Sequence, residues 1–213
     1  MKLDKKSMLL YGITDRTWTQ TKSLKQQVEL ALKGGVTCLQ LREKNLAFND
    51  FLDEALEIKN LCKQYNVPFI INDNIDVAIQ SNADGLHIGQ GDMPLKEVRK
   101  IVDKDMIIGV SAKTVDQAIE AEKNGANYLG VGAVFHTSTK LDATEVSFST
   151  LKAICKAVSI PVVAIGGINK NNIMKLSGSG IDGVALISAI FSAQNIEMQC
   201  KELKCIVEKI VNY

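Results

Sequence analysis

Eight short runs of apolar and β-branched residues recur along the chain. They cover residues 9–14, 38–42, 69–73, 85–89, 107–111, 128–132, 162–167 and 183–188. Each run is close to uniformly apolar instead of alternating between apolar and polar residues, which is typical of a strand buried on both faces of a parallel sheet. The pattern therefore predicts eight buried parallel strands.

The segments between these runs carry apolar residues at helical spacing. The first such set is Leu24, Val28, Ala31 and Leu32, and a later one is Leu203, Ile206, Val207 and Ile210. Each set makes one apolar stripe on a helix, with lysine and glutamate on the other side. Alternation of strand and helix indicates βα units, and eight of them close naturally into a (β/α)8 barrel, the TIM barrel of the α/β class.

No sign of a domain boundary interrupts this pattern. The chain has only three prolines and no linker rich in serine and glycine, so we expect residues 1–213 to form a single barrel domain. An open doubly wound sheet is the structural alternative. Against it, no Gly-x-Gly-x-x-Gly motif follows the first run.

Composition narrows the class of protein further. Hydrophobic residues make up 46% and charged residues 23% of the 213 positions, with a formal net charge of +1, so nothing favours nucleic acid or a membrane as a partner. No apolar run approaches the length of a transmembrane helix. The five cysteines include no Cys-x-x-Cys pair, and we expect reduced thiols in a cytoplasmic protein. A homo-oligomer is left open.

Charged side chains follow several of the predicted strands, at the end of the barrel where such folds carry out chemistry. Three are cations, Arg42, Lys44 and Lys140, and two are carboxylates on neighbouring strands, Asp73 and Asp92. Mg²⁺ in proteins is bound by a few carboxylates together with phosphate oxygens and water. The rim therefore suggests a polyphosphate ligand, bridged to the protein by Mg²⁺.

The last two strands indicate a second phosphate site. Gly166-Gly167 follows the seventh strand, and Ile187-Ser188 ends the eighth. Barrels often bind a phosphate at this place, where backbone N–H groups meet the N-terminus of a helix.

Each of these residues also has a simpler interpretation. An aspartate after a strand often caps a helix, and Arg42 with Glu43 could form a surface ion pair of little consequence. Gly166-Gly167 could be only a tight turn. His87, on a buried strand, fits a hydrogen-bonded core histidine better than a catalyst. The convergence of so many polar residues on one rim favours a functional interpretation.

A set of motifs along the chain resembles those of the thiamine-phosphate synthase family, in the same order. The strongest are Gln40-Leu41-Arg42-Glu43-Lys44, Asn72-Asp73, His87-Ile88-Gly89-Gln90-Gly91-Asp92 and Thr137-Ser138-Thr139-Lys140. The resemblance implies condensation of 4-amino-5-hydroxymethyl-2-methylpyrimidine diphosphate with hydroxyethylthiazole phosphate, which gives thiamine phosphate and diphosphate. It also implies Mg²⁺ as the cofactor.

The same resemblance implies a role for each matching residue. The pyrimidine diphosphate would contact Gln40, Leu41, Arg42, Glu43, Lys44, Asn72, Ser111 and Lys140. The thiazole phosphate would contact Thr137, Ser138, Thr139, Gly166, Ile187 and Ser188. Asp73 and Asp92 would bind Mg²⁺, and Arg42, Lys44, Ser111 and Lys140 would act in catalysis.

Two positions depart from the family pattern, and three other functions stay open. His136 stands where proline is usual, and Lys113 where histidine is common. A thiazole tautomerase would share the barrel and several motifs, but such proteins tend to lack the full diphosphate-binding set. A barrel that only binds phosphorylated ligands would not need both carboxylates and all three cations. A sugar-phosphate isomerase or epimerase would need an acid/base pair, for which Asp15 and His87 are the candidates.

Overall fold

Eight parallel strands close into a barrel in the order in which they occur along the chain, with β8 paired to β1. The computed structural model describes residues 4–137 and 145–211. Its strands are β1 (Leu10–Ile13), β2 (Cys38–Leu41), β3 (Phe69–Asn72), β4 (Gly85–Ile88), β5 (Ile107–Ala112), β6 (Tyr128–Gly132), β7 (Val162–Ile165) and β8 (Gly183–Leu186). The predicted (β/α)8 barrel is confirmed. Ser138, Thr139 and Lys140, three of the expected site residues, lie outside the described residues.

Helices follow most of the strands and surround the barrel. They are α1 (Leu24–Lys33), α2 (Phe48–Gln64), α3 (Ile75–Gln80), α4 (Leu95–Ile101), α5 (Val115–Lys123), α6 (Phe148–Ala157), α7 (Ser188–Phe191) and α8 (Ile196–Ile210). Short 3-10 helices cover Lys5–Met8, Arg16–Trp18 and Ile173–Leu176. The stripe expected in α1 is buried, and Ser23 with Gln26 forms a capping box at its start.

The connection between β7 and β8 contains only the 3-10 helix. Asn169 and Asn172 occupy the place where a longer helix would begin. The Asn172 side chain accepts from the Asn169 N–H at 2.8 Å and donates to the Gly167 carbonyl at 2.8 Å. Asparagine side chains that bond nearby backbone in this way compete with helix formation.

The barrel has two apolar layers, one inside the strands and one between strands and helices. The inner layer includes Tyr11, Ile13, Ile70, Tyr128 and Val163, all nearly inaccessible to solvent. The outer layer is larger and joins strand residues to the buried stripes of the helices. Because side chains fill the interior, ligands can reach only the ends of the strands.

Two expectations from composition can be compared with the described residues. Within residues 4–137 and 145–211, no helix combines the length and the apolar character needed to span a membrane. All five cysteines are free thiols, three of them buried.

Candidate active site

A lysine and two carboxylates meet at the carboxyl ends of β2, β3 and β4. The Nζ of Lys44, three residues beyond β2, lies 2.5 Å from the Oδ2 of Asp73, which directly follows β3. The Asp73 carboxyl also interacts with that of Asp92, in the segment after β4. The structure thus brings together the two expected metal ligands and one of the expected cations.

Asp73 has an unusual backbone conformation that sets the direction of its side chain. Its φ is 62°, in the left-handed region, and its N–H donates to the His87 carbonyl at 2.8 Å. Left-handed residues other than glycine are uncommon and cluster at functional sites. Burial raises the pKa of Asp73, but Lys44, Asp92 and His87 act against burial and together hold that pKa below its ordinary value. Asp73 is therefore an anion at neutral pH.

Asp92 differs from Asp73 in its balance of interactions. Burial raises its pKa, the Gly89 N–H that donates to Oδ2 at 2.7 Å lowers it, and Asp73 raises it again, with a net upward shift. Two neighbouring carboxylates of this kind fit Mg²⁺, which would relieve their repulsion and take further oxygens from phosphate and water. Among the described residues, no group of three or more His, Cys, Asp or Glu is placed to bind a metal. Asp73 and Asp92 are the two carboxylates that could hold such an ion.

Arg42 is held toward the rim by residues that follow β1. Its N–H donates to the Thr14 hydroxyl at 3.0 Å, and its Nη1 lies 3.7 Å from the Oδ2 of Asp15. The other Asp15 oxygen accepts from the Thr17 N–H at 2.8 Å and so caps the following 3-10 helix. Asp15 therefore positions Arg42 and caps a helix, which leaves it poorly suited to the acid/base role considered above.

The surface ion pair between Arg42 and Glu43 does not form. Glu43 instead accepts from Arg16 Nε at 2.8 Å, and its side chain is only 3% exposed. Successive residues of an extended chain point to opposite sides, so Arg42 and Glu43 face different partners. The Glu43 side chain is therefore engaged by Arg16, and its expected contact with the pyrimidine diphosphate stays a prediction.

A continuous chain of hydrogen bonds crosses the barrel interior. The Gln40 amide donates to the Tyr11 hydroxyl at 2.9 Å, which lies 2.8 Å from the Tyr128 hydroxyl. His87 continues the chain, with Nδ1 3.0 Å from the Tyr128 hydroxyl and Nε2 3.0 Å from the Ser111 Oγ. The chain therefore links Gln40 and Ser111, two of the residues expected to contact the pyrimidine diphosphate, across the barrel.

His87 is neutral within this chain. Burial lowers its pKa to about 4, against the opposing effect of Asp73. Both ring nitrogens are engaged with hydroxyl groups, so the imidazole orients Tyr128 and Ser111. The interpretation of His87 as a hydrogen-bonded core histidine is confirmed by these contacts.

Two further residues of the expected pyrimidine diphosphate set are buried. The Asn72 side chain lies at the end of β3, is 8% exposed and pairs in register with His87. Leu41 is fully buried in the outer layer, between strands and helices. A contact from Leu41 to a ligand at the rim would therefore come from its backbone.

The two glycines after β7 are fixed by the loop that follows β6. A Cβ on Gly166 would lie 2.4 Å from the Ala133 Cβ, and one on Gly167 would lie 2.2 Å from the His136 carbonyl oxygen. Both glycines have positive φ, 100° and 65°. Gly166 and Gly167 thus allow the loop that leads to Thr137 to lie directly over the end of β7.

Ile187 and Ser188 lie at the end of the neighbouring strand. The Ile187 side chain packs against the inner layer of the barrel, and Ser188 begins the short helix α7. Because β7 pairs with β8, and β6 with β7, the expected thiazole phosphate residues within the described chain come from one side of the rim. The expected diphosphate residues come from β2 to β5.

Sequence reasoning missed several side chains that shape the site. Tyr11 and Tyr128 form the middle of the interior chain, and Gln90 donates to the Ser111 carbonyl at 2.6 Å. A signal for the two tyrosines exists, since a hydroxyl in an otherwise aliphatic buried strand needs a partner. Arg16 and Glu54 were also missed, and they contact each other at 2.7 Å beside Glu43.

Comparison with known proteins shows a close similarity over the whole barrel. The family model for thiamine monophosphate synthase matches residues 10–190. The thiamine-phosphate synthase of Clostridium acetobutylicum is 51% identical over 200 residues, which cover 94% of this chain and 95% of that protein. The thiamine-phosphate synthase of Clostridioides difficile is 46% identical and covers 93% and 94%.

A solved structure gives the same result in three dimensions. The thiamine phosphate pyrophosphorylase of Pyrococcus furiosus superposes with a TM-score of 0.90 at 38% identity, over 98% of this chain and 99% of that one. More distant barrels share the fold alone. An N-acetylmannosamine-6-phosphate 2-epimerase from Clostridium perfringens is 17% identical with a TM-score of 0.66, over 89% and 92% of the two chains.

Proposed function

The chain belongs to the thiamine monophosphate synthase family, and we propose that the carboxyl-terminal rim of its barrel is where a pyrimidine diphosphate and a thiazole phosphate are joined. The resemblance seen in the motifs is confirmed by relatives that match nearly the whole chain. As a member of this family, the chain is a transferase of thiamine biosynthesis that forms thiamine phosphate.

One contact supports the position of the diphosphate more than any other. Lys44 Nζ lies 2.5 Å from Asp73, whose carboxyl adjoins that of Asp92. A cation beside paired carboxylates is suited to a Mg²⁺-diphosphate, because the carboxylates would hold the metal and the lysine would bind the phosphate. We therefore assign Asp73 and Asp92 to Mg²⁺ and Arg42, Lys44, Asn72 and Lys140 to the diphosphate.

The chemistry is substitution at the exocyclic CH₂ of the pyrimidine. The carbon–oxygen bond to diphosphate breaks, and the thiazole nitrogen forms the new bond to that carbon. Because the electron-rich aminopyrimidine can bear positive charge there, bond breaking can precede bond making. The protein then needs to stabilise a departing anion and to place the thiazole, and it needs no side-chain nucleophile.

Arg42, Lys44 and Lys140 supply charge where the diphosphate departs. Bound Mg²⁺ would add positive charge at the same oxygens. In a site with little water, each fixed charge of this kind lowers the activation free energy by roughly 3 kcal/mol, which raises the rate about a hundredfold. Thr14 fixes the backbone of Arg42, and the Asp15 carboxylate lies 3.7 Å from its guanidinium.

We assign Gln40 and Ser111 to the pyrimidine ring. The interior chain fixes both side chains through Tyr11, Tyr128 and His87. Since His87 is neutral, its imidazole adds no positive charge beneath a carbon that becomes cationic. The pyrimidine is therefore bound by oriented hydrogen-bonding groups.

The thiazole phosphate belongs on the other side of the rim, after β6, β7 and β8. Thr137, Ser138, Thr139, Gly166, Ile187 and Ser188 are the residues that we assign to it. The support is the close approach of Gly166 and Gly167 to the segment 133–136, which brings the beginning of that loop against the strand ends. We further propose a cytoplasmic location, supported by five free thiols.

An assay with separated substrates tests this function. Purified protein is incubated with Mg²⁺ and the pyrimidine diphosphate, the thiazole phosphate, or both, and thiamine phosphate is measured by chromatography. Thiamine phosphate should appear only with both substrates. Interconversion of thiazole phosphate isomers as the sole reaction would support the tautomerase, and ligand binding without any product would support the non-catalytic barrel.

A further inference from the structure

Three charged side chains form a cluster beside the loop that carries Arg42 and Lys44. Arg16 Nε donates to the Oε2 of Glu43 at 2.8 Å, and its Nη2 donates to both oxygens of Glu54 at 2.7 and 2.8 Å. Arg16 follows β1, Glu43 directly follows β2, and Glu54 lies in α2. The cluster therefore ties the start of the loop to two other segments.

The cluster holds two carboxyl groups but only one guanidinium. The Glu43 side chain is 3% exposed and that of Glu54 16% exposed. Within the described part of the chain, the buried Oε1 of Glu43 has no hydrogen-bond donor. A buried carboxylate oxygen without a donor is costly. The neighbouring Glu54 carboxyl could supply that donor if it carried a proton.

The electrostatics of Glu54 agree with this geometry. Burial raises the pKa of Glu54 to about 7, while Arg16 acts against the shift and Glu43 adds to it. The charged group that α1 presents to α2 is engaged elsewhere, since Lys25 pairs with Glu57 at 2.9 Å. Arg16 and Glu43 are thus the charged neighbours that act on Glu54.

We propose that Glu43 and Glu54 share one proton beside Arg16, and that this clamp is a positioning device that holds residues 42–44 in place for the diphosphate. With one proton, the cluster is neutral overall and the Glu43 Oε1 gains a donor. Glu43 lies between Arg42 and Lys44, so fixing its side chain restricts both neighbours. The identity of the ligand rests on the proposed function, whereas the shared proton does not.

The clamp has a defined dependence on pH. The pKa of Glu54 is raised from its ordinary value of 4.5 to about 7. Its contribution is therefore complete below about 4.5 and is lost as pH rises through about 7. Above that pH, two buried carboxylates share one guanidinium and repel each other, which loosens the loop and weakens diphosphate binding.

Glu54→Gln is the variant that tests the clamp, because its amide keeps a donor for Glu43 at every pH. We compare the KM for the pyrimidine diphosphate in wild type with the KM in Glu54→Gln. The ratio of wild-type KM to variant KM should rise about fivefold between pH 6 and pH 8.5, which corresponds to the free energy of one hydrogen bond. The ratio of the two kcat values should not change with pH. The substrate's own titration cancels in this ratio. Glu57→Gln, one turn further along α2 and exposed, is the matched control and should give a flat ratio.

Two measurements do not depend on catalysis. The infrared difference spectrum of wild type minus Glu54→Gln should contain the band of a protonated carboxyl group. This band should disappear as the pH rises through about 7. Calorimetric binding of inorganic diphosphate with Mg²⁺ should follow the same pH dependence as KM. Absence of the band, or a diphosphate affinity ratio that does not change with pH, would overturn the proposal. A protein that shows both effects but forms no thiamine phosphate would refute the proposed function and leave the clamp standing.

Discussion

The Nζ of Lys44 lies 2.5 Å from the Oδ2 of Asp73, so a lysine expected at a diphosphate and an aspartate expected at a metal form an ion pair. Each side chain fixes the other at the rim of the barrel. In the function proposed above, Asp73 would hold Mg²⁺ and Lys44 would bind the diphosphate. The pair therefore presents a carboxylate suited to a metal cation and an ammonium group suited to a diphosphate anion.

Replacing Lys44 should impair diphosphate chemistry selectively. Lys44→Ala removes a cation from the departing diphosphate, so we expect kcat/KM for the pyrimidine diphosphate to fall roughly hundredfold. The KM for the thiazole phosphate should change less than about twofold, because its residues lie after β6 to β8. Steady-state kinetics with each substrate varied in turn measures both. Lys25→Ala, at an exposed lysine of α1, is the control; equal losses in both variants would contradict the assignment.

Asp73 and Asp92 should be needed for Mg²⁺ but not for folding. Asparagine tolerates the φ of 62° at position 73 better than alanine, so Asp73→Asn is the suitable variant there. Asp73→Asn and Asp92→Asn should each lose roughly a hundredfold or more in kcat/KM and should bind Mg²⁺-diphosphate weakly in calorimetry. Circular dichroism should be unchanged. Asp76→Asn, at an exposed residue of α3, is the control and should behave as wild type. If activity depends on Mg²⁺ concentration in Asp73→Asn and Asp92→Asn as it does in this control, the metal site is refuted.

Gly167 should tolerate no side chain, because the loop after β6 lies against it. Gly167→Ala combines positive φ with a Cβ 2.2 Å from the His136 carbonyl oxygen, and should lose about 2–4 kcal/mol of unfolding free energy. Gly178 has a φ of 75° and no atom near a Cβ, so Gly178→Ala should lose only about 1 kcal/mol. Urea unfolding compares the two variants. Equal losses would show that contact with the loop contributes nothing.

His87 should remain neutral throughout the physiological range of pH. Burial lowers its pKa from 6.5 to about 4, so the stability that depends on neutral His87 is complete above about 6.5 and is lost as pH falls toward 4. Its imidazole resonances should not titrate between pH 8 and pH 5.5. His136→Gln identifies the signals, because the chain has only two histidines. Titration of the His87 signal near pH 6.5 would contradict the buried, neutral imidazole.

The strands could be predicted well from sequence because a parallel barrel buries both faces of each strand. Seven of the eight observed strands lie within the predicted runs, and β5 extends one residue further, to Ala112. The connection from β7 to β8 was harder to predict. There the side chains of Asn169 and Asn172 bond the backbone, and only a 3-10 helix forms. Local hydrogen bonds of this kind leave no periodic signal in a sequence.

The site was predictable as a set of residues but not as a set of contacts. Position after a strand was enough to place Lys44, Asp73 and Asp92 on one rim. The partners of Arg42 and Glu43 depend instead on the residues that β1 brings alongside them, which no spacing reveals. The interior chain through Tyr11 and Tyr128 joins residues 117 positions apart. Only closure of the barrel brings such residues together.

Exchange of diphosphate for thiazole at one carbon of the pyrimidine is the reaction that we propose for this rim. The most direct measurement follows diphosphate and thiamine phosphate in the same reaction, with purified protein, Mg²⁺ and both substrates. We predict that the two products appear at equal rates and in equal amounts, and that neither appears when either substrate is omitted. Release of diphosphate without an equal amount of thiamine phosphate would contradict this reaction. Absence of diphosphate release would contradict it as well.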